Sequence, residues 1–318
     1  MKRAFRDPNA LCETLRLPDE FRRSAANVAA DFPLFAPRPF VARMRAGDIH
    51  DPLLRQVLPL PAEHEMVAGF TTDPVADLAA QATPGVIRKY DGRALLVTTG
   101  ACAVHCRYCF RRHFPYAEAP RGAAEWHQTL RQLAADPSLE ELIFSGGDPW
   151  TLRDDQWTTL LDSATKLQQL RRIRVHTRLP VVIPQRVTRE LLDSLRSCQL
   201  PIVIVLHINH AAEIDGAVAH AIEQLRSTRA QLLNQAVLLR GVNDDVESLV
   251  ELSHRLLDVG VMPYYLHQLD RVAGAAHFQV PEAQARTLWS QMQRRLPGYA
   301  VPRWVRDEPG GASKRWLS

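Results

Sequence analysis

From about Arg93 onward the chain alternates two hydrophobic rhythms. Short aliphatic and β-branched runs, Ala94–Thr98, Glu141–Ser145, Arg172–Thr177, Pro201–His207, Leu232–Leu239 and Val261–His267, have the length and composition of buried strands. Between them lie amphipathic stretches with a helical period, among them AAEWHQTLRQLAA, DDQWTTLLDSATKLQQL, TRELLDSLRSC, AVAHAIEQLRST and DVESLVELSHRLLD. Six strand–helix units in succession predict an α/β fold on a parallel sheet, open or curled into a partial (β/α)6 barrel. Residues 1–90 break the rhythm, because prolines interrupt short helical patterns (DFPLFAPRPF, DPLLRQVLPLPAEHE). The expected organisation is a small helical region over 1–90, the barrel over 91–300 and a short C-terminal segment over 301–318.

In a parallel α/β sheet, functional groups gather beyond the C-terminal ends of the strands. The residues there are a cysteine cluster after the first strand, Gly146, Gly147 and Asp148 after the second, and Arg178 after the third. Asn209 and His210 follow the fourth, Arg240 and Asn243 the fifth, Gln268 and Asp270 the sixth.

Composition narrows the classes. With 318 residues, 46% hydrophobic, the chain can bury the core of one large α/β domain with an appendage, or of two domains. The formal charge is only +4 and the arginines are scattered, so direct nucleic-acid binding is not expected. No targeting segment or membrane-spanning run is visible, which predicts a soluble cytoplasmic protein, where clustered cysteines point to metal binding or catalysis rather than disulfides. Lysine is scarce among the 39 basic residues: only Lys2, Lys89, Lys166 and Lys314 could supply amine chemistry.

Cys102, Cys106 and Cys109 have the spacing C-x3-C-x2-C just beyond the first strand; Cys12 and Cys198 stand alone as ordinary thiols. Three thiolates on a short loop suit one face of an iron–sulfur cubane and leave one iron open. The alternative is structural zinc completed by His105 or His113. Position at the rim of a βα sheet favours the cluster.

CAVHCRYCF resembles the defining motif of radical S-adenosylmethionine enzymes. The resemblance implies a [4Fe–4S] cluster on Cys102, Cys106 and Cys109, with S-adenosylmethionine on the open iron. FSGGDP, Phe144–Pro149, resembles the family's glycine-rich segment, so Ser145, Gly146, Gly147 and Asp148 are implied in cofactor binding. The glycines allow close backbone approach, and their N–H groups are expected to meet the cofactor carboxylate. His207, Asn209 and Gln235 are further cofactor-binding positions implied by the resemblance.

Within that family, RALLVTTGACAVHCRYCFRRHF, IFSGGDPW, RLPVVIPQRVT, HINHAAEI, LNQAVLLRGVNDD, MPYYLHQLD and EPGGASK, in this order between Arg88 and Lys314, resemble the lysine 2,3-aminomutase group. This implies pyridoxal phosphate on Lys314 as a Schiff base and Arg93 at its phosphate. It also implies Arg111, or its neighbour Arg112, at the α-carboxylate of free L-lysine. Asp270 and Asp307 match the carboxylates that receive the ε-ammonium, and the reaction yields β-lysine with an external electron donor. Asp245 stands where longer members carry a zinc-binding cysteine, and the chain stops at Ser318, so a zinc-tied oligomer is not expected. PGGASK also has a shorter glycine run than those members. The stretches DIHDPLLRQVLPL, GFTTDP, RYCFRRHFPYAE and MPYYLHQLDRVAGAAHF resemble the branch making (R)-β-lysine for translation elongation factor P, which implies a pathway link to the ligase that attaches it. A related aminomutase acting on another amino acid, such as glutamate, and a zinc-binding scaffold or nucleic-acid module are the competing readings.

Overall fold

The computed structural model describes residues 3–28 and 32–317. Ten strands form one sheet in sequence order: β1 Gln81–Thr83, β2 Val86–Ile87, β3 Arg93–Val97, β4 Glu141–Ser145, β5 Arg172–Thr177, β6 Ile202–Leu206, β7 Gln231–Leu238, β8 Met262–Gln268, β9 Arg303–Arg306 and β10 Arg315–Trp316. Pairing from β3 through β9 is parallel, while β1–β2, β2–β3 and β9–β10 are antiparallel. Each of β3 to β8 is followed by a helix, in turn Ala123–Ala134, Asp154–Thr165, Arg189–Ser197, Gly216–Arg226, Val246–Asp258 and Glu282–Arg295. Parallel strands taken in sequence order, joined by crossovers that share one hand as a rule, place these helices on one face, and the other face lines a single cavity; a doubly wound sheet would reverse its order midway.

The six strands read from the sequence are present, with ends displaced by no more than one residue. Both flanks differ from expectation. Residues 1–90 are not wholly helical: β1 and β2, joined through Gly85 at φ +75°, extend the sheet, and strands of three and two residues are too short to show a period. The C-terminal segment likewise enters the sheet as β9 and β10, with Trp304 and Val305 buried between the exposed Arg303 and the half-buried Arg306. Glu282–Arg295 buries only the narrow stripe Ala285, Leu288 and Met292, which its charged sequence conceals.

The two-residue period of the strands sorts side chains between core and interior. On β7, Leu232, Asn234, Ala236 and Leu238 are buried beneath the helices, whereas Gln235 and Val237 line the interior. Arg93 and Leu95 of β3, Ile143 and Ser145 of β4, Arg174 and His176 of β5, and Tyr265 and His267 of β8 also face inward. Residues 3–28 and 32–64 pack beside the rim of the barrel, with Arg43 donating to the Val181 carbonyl at 2.6 Å and the Arg107 N–H to the Gln56 carbonyl at 2.9 Å.

Candidate active site

The inward faces and the rim loops enclose a cavity of about 470 Å³. Cys102, Cys106 and Cys109 line one part of it; Asp270, Asp307 and Lys314 line another. Arg93, Arg111, Ser145, Gly146, Gly147, Asp148, His207 and Gln235 also reach the wall. Asn209 does not: its amide donates to Gln56 Oε1 at 3.0 Å and to the Tyr108 hydroxyl at 2.6 Å, and its Oδ1 accepts from the Val237 N–H, so it braces the wall from behind.

The cysteine loop rests on buried ion pairs. Arg107 donates to Glu63 through Nε at 2.8 Å and through Nη2 at 2.5 Å, and Arg112 reaches the same carboxylate at 3.0 Å. Arg112 also meets the Arg107 and Gly274 carbonyls, so of the two candidate arginines it is the one committed to the loop. Beneath Cys106, Arg178 donates to the sulfur at 2.8 Å and to Gln56 and Glu213 at 2.6 and 2.9 Å. A guanidinium fork tied on its other side to a buried carboxylate is a rigid donor to a thiolate.

Burial pushes the Cys102 thiol up and that of Cys109 up to about 11, with neighbouring thiol charges adding to it. Thiolates here therefore call for compensating cations, a role that the Arg178 guanidinium serves for Cys106 and that a bound iron–sulfur cluster would serve for all three. Among the described residues no three histidine, cysteine or acidic side chains group around the position of a single metal ion. A cubane sets its irons at separate corners and does not require thiolates converging on one point. His105 is stacked on Phe32 with Nδ1 2.8 Å from the Pro33 carbonyl, and His113 sits 3.3 Å from the Ala273 carbonyl. Both zinc candidates are thus held by the chain, and the donor set fits a cluster better than zinc.

The turn after β4 corrects one expectation. The N–H groups of Gly147 and Asp148 donate to the carbonyls of Thr99 and Ala101 at 2.7 and 2.8 Å, so of the two glycine N–H groups expected to meet a cofactor carboxylate, that of Gly147 is taken by the cysteine loop. A Cβ would stand 2.5 Å from the Thr99 oxygen at Gly146 and 2.2 Å from the Ala101 oxygen at Gly147, and close loop packing is what these glycines permit. The Asp148 carboxylate is likewise engaged, accepting from the Thr177 hydroxyl at 2.8 Å and from the N–H groups of Arg178 and Trp150 at 2.8 and 3.0 Å. Burial still pushes it up to about 6.

At the lysine end, register between β9 and β10 sets Arg306 opposite Arg315, which brings Asp307 and Lys314 together as an ion pair. The Tyr90 hydroxyl donates to the same carboxylate at 2.8 Å. Burial alone would raise Asp307, but the Lys314 charge and hydrogen bond outweigh it and hold the carboxyl near about 2. Among the described residues Asp270 forms no such ion pair; burial, and then the Asp307 anion, push it up to about 7 against the charges of Lys314 and Lys89. Only Lys314, among the described residues, forms an ion pair with either of these two carboxylates.

The wall between carries three imidazoles. Burial lowers His176, His207 and His267, His207 to about 3, and nearby cations push the same way, so all three are neutral at physiological pH. Nε2 of His176 and of His267 is buried without a hydrogen-bond partner, and such atoms fit a polar ligand in the cavity. Asp77, Lys89, Tyr90, Arg174, His176 and Tyr265 also line the site, though sequence reading did not single them out as binding residues. Strand alternation carried a signal for Arg174, His176 and Tyr265; Lys89 stood out only as one of four lysines. Among the described residues no helix is long and apolar enough to cross a membrane.

Comparison with known proteins bears on this arrangement. No protein-family model matches the chain. It is 44% identical over 315 residues to L-lysine 2,3-aminomutase of Haemophilus influenzae, covering 99% of this chain and 93% of that protein. It is 45% identical over 309 residues to L-lysine 2,3-aminomutase of Escherichia coli K12, covering 97% and 90%. Among solved structures, Streptococcus suis SuiB bound to S-adenosylmethionine superposes with a TM-score of 0.51 at 16% identity, over 69% of this chain and 51% of that one, a likeness of fold.

Proposed function

This chain belongs to the L-lysine 2,3-aminomutase family, and from that premise we propose that it uses pyridoxal phosphate to convert free L-lysine to (R)-β-lysine destined for elongation factor P. The family makes it an isomerase with radical S-adenosylmethionine chemistry. The observation carrying the fuller reading is that one cavity joins three cysteines outside any disulfide to a lysine paired with a carboxylate. Cys102, Cys106 and Cys109 would hold the [4Fe–4S] cluster, Lys314 pyridoxal phosphate and Arg93 its phosphate. When bound, the cluster with S-adenosylmethionine supplies one-electron chemistry, and pyridoxal phosphate supplies a conjugated carrier for an amino group.

The chain's own residues recognise a dipolar amino acid. Arg111 presents a permanent cation to the α-carboxylate, beside the Ser145 hydroxyl. Asp307 and Asp270 receive the ε-ammonium. When the incoming ε-ammonium takes the place of Lys314 Nζ beside Asp307, two carboxylates face it, which offsets the desolvation of that charge. A glutamate side chain would meet the same pair and be repelled. The neutral histidines add hydrogen-bonding capacity without adding charge.

The test is anaerobic reconstitution with iron, sulfide, S-adenosylmethionine and pyridoxal phosphate, then L-lysine with an external electron donor and chiral chromatography of the product. (R)-β-lysine is expected, and adding elongation factor P with its ligase in the same cytoplasmic-type buffer should give the modified factor. Cleavage of S-adenosylmethionine without β-lysine would overturn the substrate assignment.

A further inference from the structure

We propose that Asp77 is a positioning residue for recognition of the substrate α-carboxylate, pinning Arg111 while Lys89 keeps the trio cationic. The inference rests on the reading that Arg111 receives that carboxylate. Asp77 lies outside the barrel strands, and its side chain is only 3% exposed. Its Oδ2 accepts from Arg111 Nε at 2.6 Å, and its Oδ1 pairs with Lys89 Nζ at 2.6 Å. Both oxygens are therefore occupied, which removes Asp77 as a partner for the substrate ammonium. The Asp77 N–H in turn donates to Asp73 Oδ1 at 2.8 Å, fixing the segment that carries it.

With Nε held from behind, the guanidinium turns its Nη1/Nη2 edge elsewhere. Nη1 meets the Ser145 hydroxyl at 3.2 Å, and among the described residues Arg111 pairs with no carboxylate other than Asp77. That edge is the one a carboxylate can take side-on. Alone, Asp77 would neutralise Arg111 and leave little to attract an anion. Lys89, further tied to the Val75 carbonyl at 2.7 Å, restores a net charge of one positive unit. Burial by itself would raise the Asp77 carboxyl, but the two cations outweigh it and hold it below the ordinary range, so the clamp is ionised at neutral pH.

The experiment measures equilibrium binding of L-lysine and L-lysinamide, which lacks the carboxylate, to reconstituted holoenzyme without reductant. Lys89→Met, which removes the compensating charge, should cut the preference for L-lysine over L-lysinamide. Asp77→Asn raises the net charge to two yet should cut it by about tenfold, the scale of one misplaced charge-assisted hydrogen bond, because the released guanidinium no longer presents its edge. A rise in the preference would overturn the proposal. Arg111→Met should abolish that preference. A merely structural role for Asp77 would weaken both ligands together and leave their ratio unchanged, and that result overturns the proposal. Should Asp77→Asn not fold, an unchanged ratio in Lys89→Met overturns it alone. If Arg111→Met keeps the wild-type ratio, the underlying reading of Arg111 has failed; if Arg111→Met loses it but Asp77→Asn does not, only the present inference has.

Discussion

The three thiols at one end of the cavity come from eight consecutive positions on one loop, whereas Tyr90, Asp270, Asp307 and Lys314 at the other come from separate segments. The two ends also differ in the charges that touch them. At the thiols, Arg178 donates to Cys106 and Arg107 and Arg112 share Glu63 beneath the loop, with Glu213 and Asp148 as further anions; at the other end Asp307 pairs with Lys314 beside Asp270, and Lys89 acts from further off. The arginine-rich side suits anionic sulfur ligands and a substrate carboxylate, and the acidic side suits an ammonium. Local spacing is enough to make the first end, because a loop of eight residues can supply three ligands if its base is rigid. The second requires the sheet edge: only β9–β10 pairing turns residues 307 and 314 into neighbours.

Breaking the cysteine end should have the largest effect. Cys106→Ala should lose cluster iron and all turnover, measured by iron and sulfide content and β-lysine assay. Retention of a full cluster would show that the loop is not its site. At the other end, Lys314→Ala should lose the pyridoxal absorbance and reduce turnover by several orders of magnitude while retaining iron, so the two ends fail independently.

Asp307→Asn should weaken L-lysine binding by about a hundredfold, the scale of leaving one buried charge without its partner, ~3 kcal/mol. Asp270→Asn should weaken it less and with a pH signature. The Asp270 carboxyl is pushed up to about 7, so below that pH it is largely neutral and offers no counter-charge. Wild-type affinity for L-lysine should therefore rise as pH climbs through about 7 and level off above it, and Asp270→Asn should flatten that component. The smallest effect on ligands belongs to Asn209→Ala, which removes a brace rather than a wall residue. It should lower stability by about 1–3 kcal/mol in denaturant unfolding. Affinity for S-adenosylmethionine should barely change; a large loss would return Asn209 to the cofactor.

Much of this architecture was legible in the residues. The six barrel strands were marked by β-branched runs long enough to show their character, and the cysteine spacing is a local pattern independent of tertiary context. Strands of two to four residues carry no such period, so β1, β2, β9 and β10 were invisible, and with them the way Asp307 meets Lys314. Residue type also could not separate Arg111 from Arg112; the buried Glu63, 49 positions away in sequence, distinguishes them. Gly146 and Gly147 were singled out for the cofactor, and nothing in their spacing signalled that the carbonyls of Thr99 and Ala101 also press against them. Long-range partners of this kind leave no trace in spacing.

The central claim is that both ends serve one reaction in one cavity, and hydrogen transfer between them tests it most directly. Reconstituted enzyme given L-lysine deuterated at the β-carbon should place deuterium in 5′-deoxyadenosine and in β-lysine, detected by mass spectrometry. Formation of 5′-deoxyadenosine free of deuterium, while L-lysine stays bound, would contradict the account.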